Sequence, residues 1–382
     1  MLVATLFGLG VLFLLAALHP YLTYPLSLAL LKSEPLPIQT TENRGSHEQF
    51  AICTCAYNEE GVIEAKIRNL LALREDHPGL EILVYVDAAT DATAAILQAY
   101  SDRITLVISS ERRGKTHGMN RLVAMTDATV VVFTDANVLL DRYVLTRLAT
   151  YFKDPAIGCV CGNLRYTNAA DSTVAETGSL YWRIEQNVKR LETRWGAVMG
   201  ADGSLFAIRR ALHRPPPDHI IDDMYVSFHV LFQGFRVIQA DDVLAFEKSV
   251  SVSGEEFQRK IRIACQAFNV HRLMWPHLRR MAPLKLYMYI SHKLMRWFSI
   301  YFLAASLLCV FGALIAASAA LPALAAIALL CVGLLAGYLW KITPLSQTVD
   351  VLTAFTGVGI GIFHSLTGRL YQTWKPAASI RK

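Results

Sequence analysis

Two long apolar blocks constrain the fold of this chain more than any other feature of its sequence. The first covers residues 2–31 and contains no Lys, Arg, Asp or Glu, and the second covers residues 284–366. A helix needs about 20 predominantly apolar residues to cross the hydrocarbon core of a bilayer. The chain between the blocks is mixed in polarity and long enough for one catalytic domain. The sequence therefore predicts a catalytic domain held between membrane segments.

The two blocks divide into candidate spans. Residues 1–31 predict one uncleaved anchor with a kink near His19-Pro20, because the basic region that begins a signal peptide is missing. Trp297–Ala317 and Leu321–Leu339 are each long enough to span. Val349–Leu366 is shorter and richer in Gly and Thr, so it could span or enter the membrane only part of the way.

Basic residues are concentrated just before the second block. Leu284–Arg296 mixes Lys, Arg and Tyr with apolar residues, which favours a helix lying in the membrane interface. Positive residues beside a span are typical of the cytoplasmic face. We therefore expect a multi-pass protein of the inner, cytoplasmic membrane with its catalytic domain in the cytoplasm. The members of this cluster are Arg272, Arg279, Arg280, Lys285, Lys293 and Arg296.

The formal net charge of +6 is modest, and no basic face with interleaved aromatic residues accompanies it, so no nucleic-acid partner is expected. The predicted organisation has six parts: an N-terminal transmembrane anchor (1–31), a linker (32–47), a catalytic domain (48–255), amphipathic or interfacial helices (256–296), C-terminal transmembrane helices (297–367) and a basic cytoplasmic tail (368–382).

Seven cysteines form no metal-binding or disulfide framework. Cys53 and Cys55 form one Cys-x-Cys pair, Cys159 and Cys161 another, and both pairs lie in apolar runs that predict strands. Alternate residues of a strand share a face, so we interpret these thiols as buried core groups rather than zinc ligands.

The middle of the chain alternates short apolar runs with amphipathic segments. Such alternation predicts an α/β domain with a largely parallel sheet, in which ligands bind beyond the carboxyl ends of the strands. The predicted strands are Phe50–Ala56, Leu80–Val86, Ile104–Ile108 and Thr129–Phe133, with helices over 62–71, Thr90–Tyr100 and Gly118–Thr126.

Acidic residues follow three of the predicted strands. Glu59 and Glu60 follow the first strand, Asp87 the second and Asp135 the fourth, and the basic loop Arg112-Arg113-Gly114-Lys115 lies between the last two in sequence. Magnesium is commonly shared between one or two carboxylates and substrate phosphates, so this edge suits a metal-bridged diphosphate. Alternatively, single acids here are helix caps or solvated loop residues, an interpretation that suits Asp91 in particular.

The ordered series of motifs resembles family 2 glycosyltransferases of the GT-A fold, over about residues 48–270. The resemblance implies a GT-A, Rossmann-like nucleotide-sugar-binding domain with flanking transmembrane and interfacial helices. The series comprises Ala56-Tyr57-Asn58-Glu59-Glu60, Asp87 to Thr93, Gly114-Lys115, Asp135-Ala136-Asn137, Gly200 to Ser204, Ile221-Asp222-Asp223 and Phe257 to Arg262.

The resemblance also implies a role for individual positions. Donor-binding residues would be Ala56, Tyr57, Glu59, Asp87, Lys115 and Asp135. Asp135 with Asn137 would hold Mg²⁺ or Mn²⁺, and Gly203 with Asp222 would contact the acceptor. Asp223 would take the acceptor proton, and Arg259 and Arg262 would assist the departing diphosphate. An alternative for Asp222 and Asp223 is an N-terminal cap of a helix over Met224–Phe232.

Three departures from the family pattern are visible. Alanines replace glycines at Ala88 and Ala92, and the metal motif carries Asn137 instead of a second aspartate. No Trp follows Arg259–Arg262, which speaks against processive polymer synthesis.

We therefore expect a membrane-bound inverting transferase that moves a hexosyl or N-acetylhexosaminyl group from a nucleotide-sugar, with UDP favoured, to a membrane-associated acceptor. The acceptor is a lipid-linked saccharide or exopolysaccharide, or alternatively a membrane lipid of the polyprenyl phosphate or sphingoid type. A catalytically weak scaffold stays open because of Asn137. A nucleotidyltransferase is disfavoured because residues 51–60 lack a Gly-rich basic loop, and a transporter because the spans are too few.

Overall fold

A computed structural model describes residues 1–32, 48–167, 173–248, 250 and 252–373, with the side chains of residues 173–180 left aside. The predicted linker beyond Lys32 and the tail from residue 374 therefore lie outside the described residues.

The described part of the chain begins with two apolar helices, continues through an α/β unit and ends with apolar helices. The helices are α1 (Leu2–Leu18), α2 (Thr23–Leu30), α3 (Ile63–Asp76), α4 (Thr93–Gln98), α5 (Lys115–Val123), α6 (Val144–Phe152), α7 (Thr173–Thr193), α8 (Asp222–Phe232), α9 (Ser253–Leu278), α10 (Pro283–Tyr289), α11 (Met295–Trp297), α12 (Ser299–Ala316), α13 (Ala320–Leu339) and α14 (Leu345–Leu366). The strands are β1 (Phe50–Ala56), β2 (Glu81–Asp87), β3 (Thr105–Ser109), β4 (Val130–Thr134), β5 (Leu139–Leu140), β6 (Ile157–Tyr166), β7 (Leu205–Arg209) and β8 (Arg236–Glu247).

One eight-stranded sheet carries the strands in the order β3-β2-β1-β4-β7-β6-β8-β5. Its first four strands are parallel, as predicted, and all four expected strands form within a residue of their predicted bounds. The other half is mixed, because β7 runs antiparallel to both neighbours while β6 and β8 pair in parallel. The prediction of an α/β domain is confirmed. The predicted parallel pairing holds only for the half of the sheet that β1 to β4 form.

Helices pack on both faces of the sheet, which produces two apolar cores. Alternation along the strands explains the cysteines. Cys53, Cys159 and Cys161 point to one core with Cys55 packed at its edge, and all seven cysteines are free. The prediction that these thiols are core groups is confirmed.

Three helices after the α/β unit are long and apolar enough to cross a membrane, namely α12, α13 and α14. Helices α1 and α2 pass the same test only together, with a bend of 66° at their break. The predicted kink at His19-Pro20 is confirmed, because proline cannot donate the hydrogen bond that would continue α1. The last candidate segment, predicted over Val349–Leu366, forms a full helix that begins four residues earlier, at Leu345.

The helix predicted over Leu284–Arg296 forms, and it is helical without interruption from Pro283 to Trp297. It consists of α10, one π-helical turn at Ile290–Leu294 and α11, and its inner side is buried against the rest of the protein. His292 is fully buried there between Glu185 and Glu192, with ring nitrogens 3.1 Å and 2.7 Å from their carboxylates. These contacts tie the segment to α7, so it joins the α/β unit to the apolar helices.

Helix α14 lies directly against α9 through two glycines. A Cβ at Gly361 would approach the carbonyl oxygen of Ile261 to 2.4 Å, and one at Gly357 would meet Phe257 at 3.2 Å. This close approach fixes the helix that carries Arg259 and Arg262 to a candidate membrane span.

Candidate active site

The carboxyl ends of β1, β2 and β4 meet at one edge of the sheet because these strands are parallel neighbours. Ala56 ends β1, Asp87 ends β2, and Asp135 follows the last residue of β4. The sequence prediction that these residues converge is therefore confirmed as geometry. Their individual contacts with a nucleotide stay predictions.

Asp87 anchors the basic loop. Its buried carboxylate accepts hydrogen bonds from the backbone amides of Arg113, at 2.7 Å, and Gly114, at 2.9 Å. Gly114 has a φ of 92°, a conformation that side chains disfavour. The immediate role of Asp87 is thus to hold the turn that leads into α5 and to Lys115.

Tyr57 is stacked against the same loop. The guanidinium carbon of Arg112 lies 3.3 Å from the centroid of the Tyr57 ring, close enough for a cation–π contact. A nucleobase stacking on this face of Tyr57 would have to displace Arg112. Glu59 is buried beside it, and its backbone amide donates to the hydroxyl of Thr93 at 2.8 Å.

Asp91 has a structural role. Its carboxylate accepts from the backbone amides of Glu60 and Thr93, at 3.1 Å and 3.0 Å, and so joins the loop after β1 to the start of α4. The interpretation of this residue as a helix-start group is confirmed.

A charged cluster lies at the centre of the edge. The Lys115 ammonium is 2.7 Å from a carboxylate oxygen of Asp135 and 3.8 Å from one of Asp222. Burial alone would lower the pKa of Lys115, but the carboxylates of Asp135, Asp222 and Asp223 raise it above its usual range. The lysine is therefore a permanent cation among three acids.

Gly203, which has no side chain, lies directly beside this cluster. A Cβ at this position would lie 2.8 Å from the Lys115 ammonium, 3.2 Å from an Asp223 oxygen and 3.8 Å from an Asp135 oxygen. The loop between α7 and β7 thus approaches the three charged groups as closely as a glycine permits. This contact joins motifs that are widely separated in sequence.

Asp222 and Asp223 are the first residues of α8, whose N-cap is Ile221. The prediction of a helix that starts at Met224 with an aspartate cap is therefore wrong, because Ile221 is the last extended residue and the helix includes both acids. Burial and the neighbouring Asp222 raise the pKa of Asp223 to about 7, against the opposing effects of Lys115 and of the Met224 amide. Such a pKa suits a general base near neutral pH.

Asn137 contacts a residue that the motif series does not include. Its side-chain amide nitrogen donates to the Glu247 carboxylate at 2.8 Å. Burial raises the pKa of Glu247 to about 7, opposed by Arg259 and reinforced by Asp135. The available sequence signal was an acid at the end of an apolar strand, the same signal that identified Asp87.

Arg262 faces the cluster from α9, whereas Arg259 lies nearer Glu256 and Glu247. Arg259 pairs with Glu256 at 3.2 Å. Burial lowers the pKa of Arg262 to about 10, an effect that Arg259 reinforces and that Asp135 and Asp223 oppose. Both guanidinium groups therefore lie within electrostatic range of the acidic residues.

The chain after α14 returns to the basic loop. The Gln372 side chain donates to the Arg113 carbonyl at 2.9 Å, and the Gln266 side chain donates to the Tyr371 carbonyl at 2.7 Å. The C-terminal segment thus contacts both α9 and the loop that Asp87 holds.

The donor set fits a hard divalent cation. Asp135 keeps 37% of its side chain exposed, and Asn137 offers an amide oxygen two residues later. Among the described residues, no group of three His, Cys, Asp or Glu side chains forms a closed metal cage. An open arrangement is expected where substrate phosphates supply the remaining ligands.

Comparison with known proteins agrees with this geometry. Residues 51–215 match the model of the glycosyl transferase family 2. The chain is 24% identical over 248 residues to an N-acetylglucosaminyltransferase of Rhizobium meliloti strain 1021. The alignment covers 60% of this chain and 58% of the relative. It is 26% identical over 183 residues to the probable glycosyltransferase YdaM of Bacillus subtilis strain 168, covering 45% and 43% of the two chains. The matched region thus spans about three fifths of the first relative's length.

Among solved structures, the chain is similar to a mannosyltransferase from Pyrobaculum calidifontis in complex with GDP-Man and Mn²⁺. The TM-score is 0.70 at 22% identity, over 94% of this chain and 99% of the other. At this identity the likeness shows the fold, and it extends beyond the α/β unit.

Proposed function

We propose that residues 51–215, which match the model of the glycosyl transferase family 2, form a GT-A-type transferase domain, and that the protein transfers a sugar from a nucleotide-sugar, with a divalent metal, to an acceptor at the membrane. The observation that carries this proposal is that the side chains of Lys115, Asp135 and Asp223 lie close to one another and to the backbone of Gly203. These three groups are a cation for a diphosphate, a carboxylate for a metal and a base with a raised pKa. Donor and acceptor would meet at this point.

The proposed reaction inverts the anomeric carbon. Asp223 accepts the proton of the acceptor hydroxyl while that oxygen forms a bond to the anomeric carbon. The bond from this carbon to the donor phosphate breaks, and the nucleoside diphosphate leaves with the electron pair. Asp135 and Asn137 would hold Mg²⁺ or Mn²⁺, which supplies charge neutralisation for the diphosphate when bound.

The surrounding residues bind, orient and neutralise. Lys115 keeps its positive charge at every physiological pH and stabilises the departing diphosphate. Arg259 and Arg262 supply further positive charge from α9. Tyr57 and Asp87 hold the base and ribose, Asp87 also through the loop that it anchors.

The donor is proposed to be a UDP-sugar, which the relatives named as N-acetylglucosaminyltransferases support. The similar structure from Pyrobaculum calidifontis was solved with GDP-Man, so GDP-sugars must be tested beside UDP-sugars.

The acceptor is proposed to be a lipid-linked saccharide or a growing exopolysaccharide at the cytoplasmic face of the inner membrane. Three candidate spans support a membrane location. The side chain of Lys293, in the π-helical turn before the first of these spans, would lie 3.7 Å from a Cβ at Gly200. The loop from Gly200 to Ser204 and the membrane-proximal segment are thus neighbours.

Nucleotide release tests the proposal directly. Membranes that contain the full chain are given UDP-, GDP- and dTDP-sugars with Mg²⁺, Mn²⁺ or a chelator, with and without extracted lipid. We expect release from one donor that requires metal and rises with the acceptor fraction. Release from no donor, with metal and lipid present, would contradict the proposed activity.

A further inference from the structure

Glu247 and Asn137 are brought together by strand register. The short strand β5 pairs antiparallel with β8, with Leu139 opposite Phe246 and Leu140 opposite Ala245. Residues just before β5 therefore lie beside residues just after Phe246. This register brings the Asn137 amide nitrogen to 2.8 Å from the Glu247 carboxylate.

The contact determines which way the Asn137 side chain faces. The NH₂ group of Asn137 donates this hydrogen bond to a Glu247 oxygen, so it points at Glu247. The carbonyl oxygen of the same planar amide then points away from Glu247. Without a fixed acceptor the amide could rotate and present its NH₂ group, which repels a cation and cannot ligate it.

Among the described residues, Asp135, Asp202 and Arg259 lie close enough to act on Glu247 electrostatically. Arg259 is itself paired with Glu256 at 3.2 Å. Glu247 therefore lies near Asp135 and in contact with the asparagine that the sequence carries in place of the second aspartate.

We propose that Glu247 is a positioning residue of the metal site, which orients Asn137 so that its carbonyl oxygen faces the metal. The inference rests on the proposed metal-dependent function. It names Glu247 as the partner of the Asp-Ala-Asn motif. A purely structural contact between β5 and β8 would stabilise the sheet but would leave metal affinity unchanged.

Metal binding can be measured without turnover. Free Mn²⁺ is followed by electron paramagnetic resonance while the detergent-solubilised full chain is titrated in the presence of UDP or GDP. Thermal unfolding of each variant checks that it is folded. The control is Glu75→Gln, which neutralises an exposed carboxylate near the end of α3.

We expect Glu247→Ala to weaken Mn²⁺ binding about tenfold to a hundredfold, the usual range for residues that orient metal ligands. Glu247→Gln keeps an acceptor oxygen for the Asn137 NH₂ group, so its affinity for Mn²⁺ is expected to lie between those of the wild type and Glu247→Ala. The double variant Asn137→Asp with Glu247→Gln exchanges donor and acceptor, with the glutamine NH₂ group donating to the aspartate. Its affinity is expected within about threefold of the wild type, on the same scale.

Wild-type affinity in Glu247→Ala and Glu247→Gln would overturn the proposal, as would a double variant that binds no better than Glu247→Gln. In both outcomes the wild type still binds Mn²⁺ with nucleotide, so the proposed function stands. If the wild type binds no Mn²⁺ with either nucleotide, the metal-dependent function and this inference both fall.

Discussion

At the residue scale, the proposed site depends on one cation that is always charged and one acid that titrates near neutrality. Lys115 lies among three carboxylates, whereas Asp223 is buried next to Asp222. Two adjacent buried acids cannot both ionise without cost, so burial and Asp222 keep the Asp223 carboxyl protonated up to about pH 7. Lys115, which we propose holds the diphosphate, lowers this pKa and so also affects the basicity of Asp223.

This arrangement predicts a pH dependence. Asp223 must be ionised to take a proton, so release should rise with pH through about 7 and level off above it. Asp223→Asn should reduce the release rate about 10²- to 10⁴-fold at pH 8, the usual contribution of a positioned base. Release is measured from pH 5.5 to 9, with Asp76→Asn as the control in an acid that pairs with the exposed Arg142. A flat profile, or an active Asp223→Asn variant, would exclude this base.

The same pKa has an opposite consequence for stability. The folded chain binds the Asp223 proton up to about pH 7, whereas an unfolded chain loses it near 4, so this group destabilises the folded state as pH rises from 4 to 7. Asp223→Asn should therefore unfold at a higher temperature than the wild type at pH 8 but not at pH 4.5. If the melting temperatures of the variant and the wild type differ by the same amount at both pH values, the pKa of Asp223 is not raised in the folded chain.

Gly203 is the second residue-scale test. Gly203→Ala would push a methyl group to 2.8 Å from the Lys115 ammonium, so the lysine or the loop must move. We expect kcat/KM to fall about tenfold to a hundredfold, since a displacement of about 1 Å costs roughly that much. Gly79→Ala is the matched control because no atom lies within 4 Å of its added Cβ. Equal activities of the two variants would show that the approach at Gly203 is not used.

At the element scale, a buried lysine on α3 holds the turn that carries Asp135. The Lys66 ammonium donates to the Thr134 hydroxyl at 3.0 Å and to the Val138 carbonyl at 2.6 Å, on either side of the Asp-Ala-Asn motif. Burial lowers the pKa of Lys66 to about 7, against the attraction of Asp135. The strand end that carries the predicted metal ligands is thus fixed from below by a helix.

Lys66→Met should therefore cost both stability and metal binding. The Val138 carbonyl would lose its buried donor, at a cost of about 1–3 kcal/mol. The folded chain releases the Lys66 proton near pH 7 and the unfolded chain near 10, so the wild type gains stability relative to the variant across that window. Thermal unfolding at pH 7 and pH 9.5 measures the loss of stability and its change with pH, with the exposed Arg68→Met as control. A variant as stable as the wild type at both pH values would contradict this role.

The elements that could be predicted from the sequence are those with strong local signals. The strands of the parallel half, the kink at Pro20 and the burial of Cys53 follow from apolar runs and proline chemistry. The positions of Glu247 and Gln372 could not be predicted, because they depend on the register of β8 and on how the chain returns after α14. Similarly, α10 and α11 carry an interfacial composition, but the burial of His292 depends on partners about 100 residues away.

At the scale of the whole molecule, the catalytic edge is tied to the apolar helices by α9 and by the C-terminal segment. Helix α14 packs against α9 at Gly361, and Gln372 reaches the basic loop. The candidate membrane spans and the candidate site are therefore joined by direct packing.

The proposed topology predicts an asymmetric response to protease. A catalytic domain on the cytoplasmic side should be cut in inside-out vesicles and protected in sealed right-side-out vesicles or spheroplasts. A tag placed before Met1 and immunoblotting report the fragments, and detergent provides the control for accessibility. Cleavage of the domain from the outside of intact spheroplasts would reverse the proposed orientation.

The most direct test of the central claim separates donor binding from transfer at the Lys115 cluster. Metal-dependent nucleotide affinity and nucleotide release are measured in parallel for the wild type, Asp135→Ala and Asp223→Asn. We predict that Asp223→Asn binds nucleotide within about threefold of the wild type but loses release, because it removes only the base. Asp135→Ala should lose both, with affinity at least about tenfold weaker. Wild-type binding in Asp135→Ala, or wild-type release in Asp223→Asn, would contradict the assignment of this cluster as the catalytic centre.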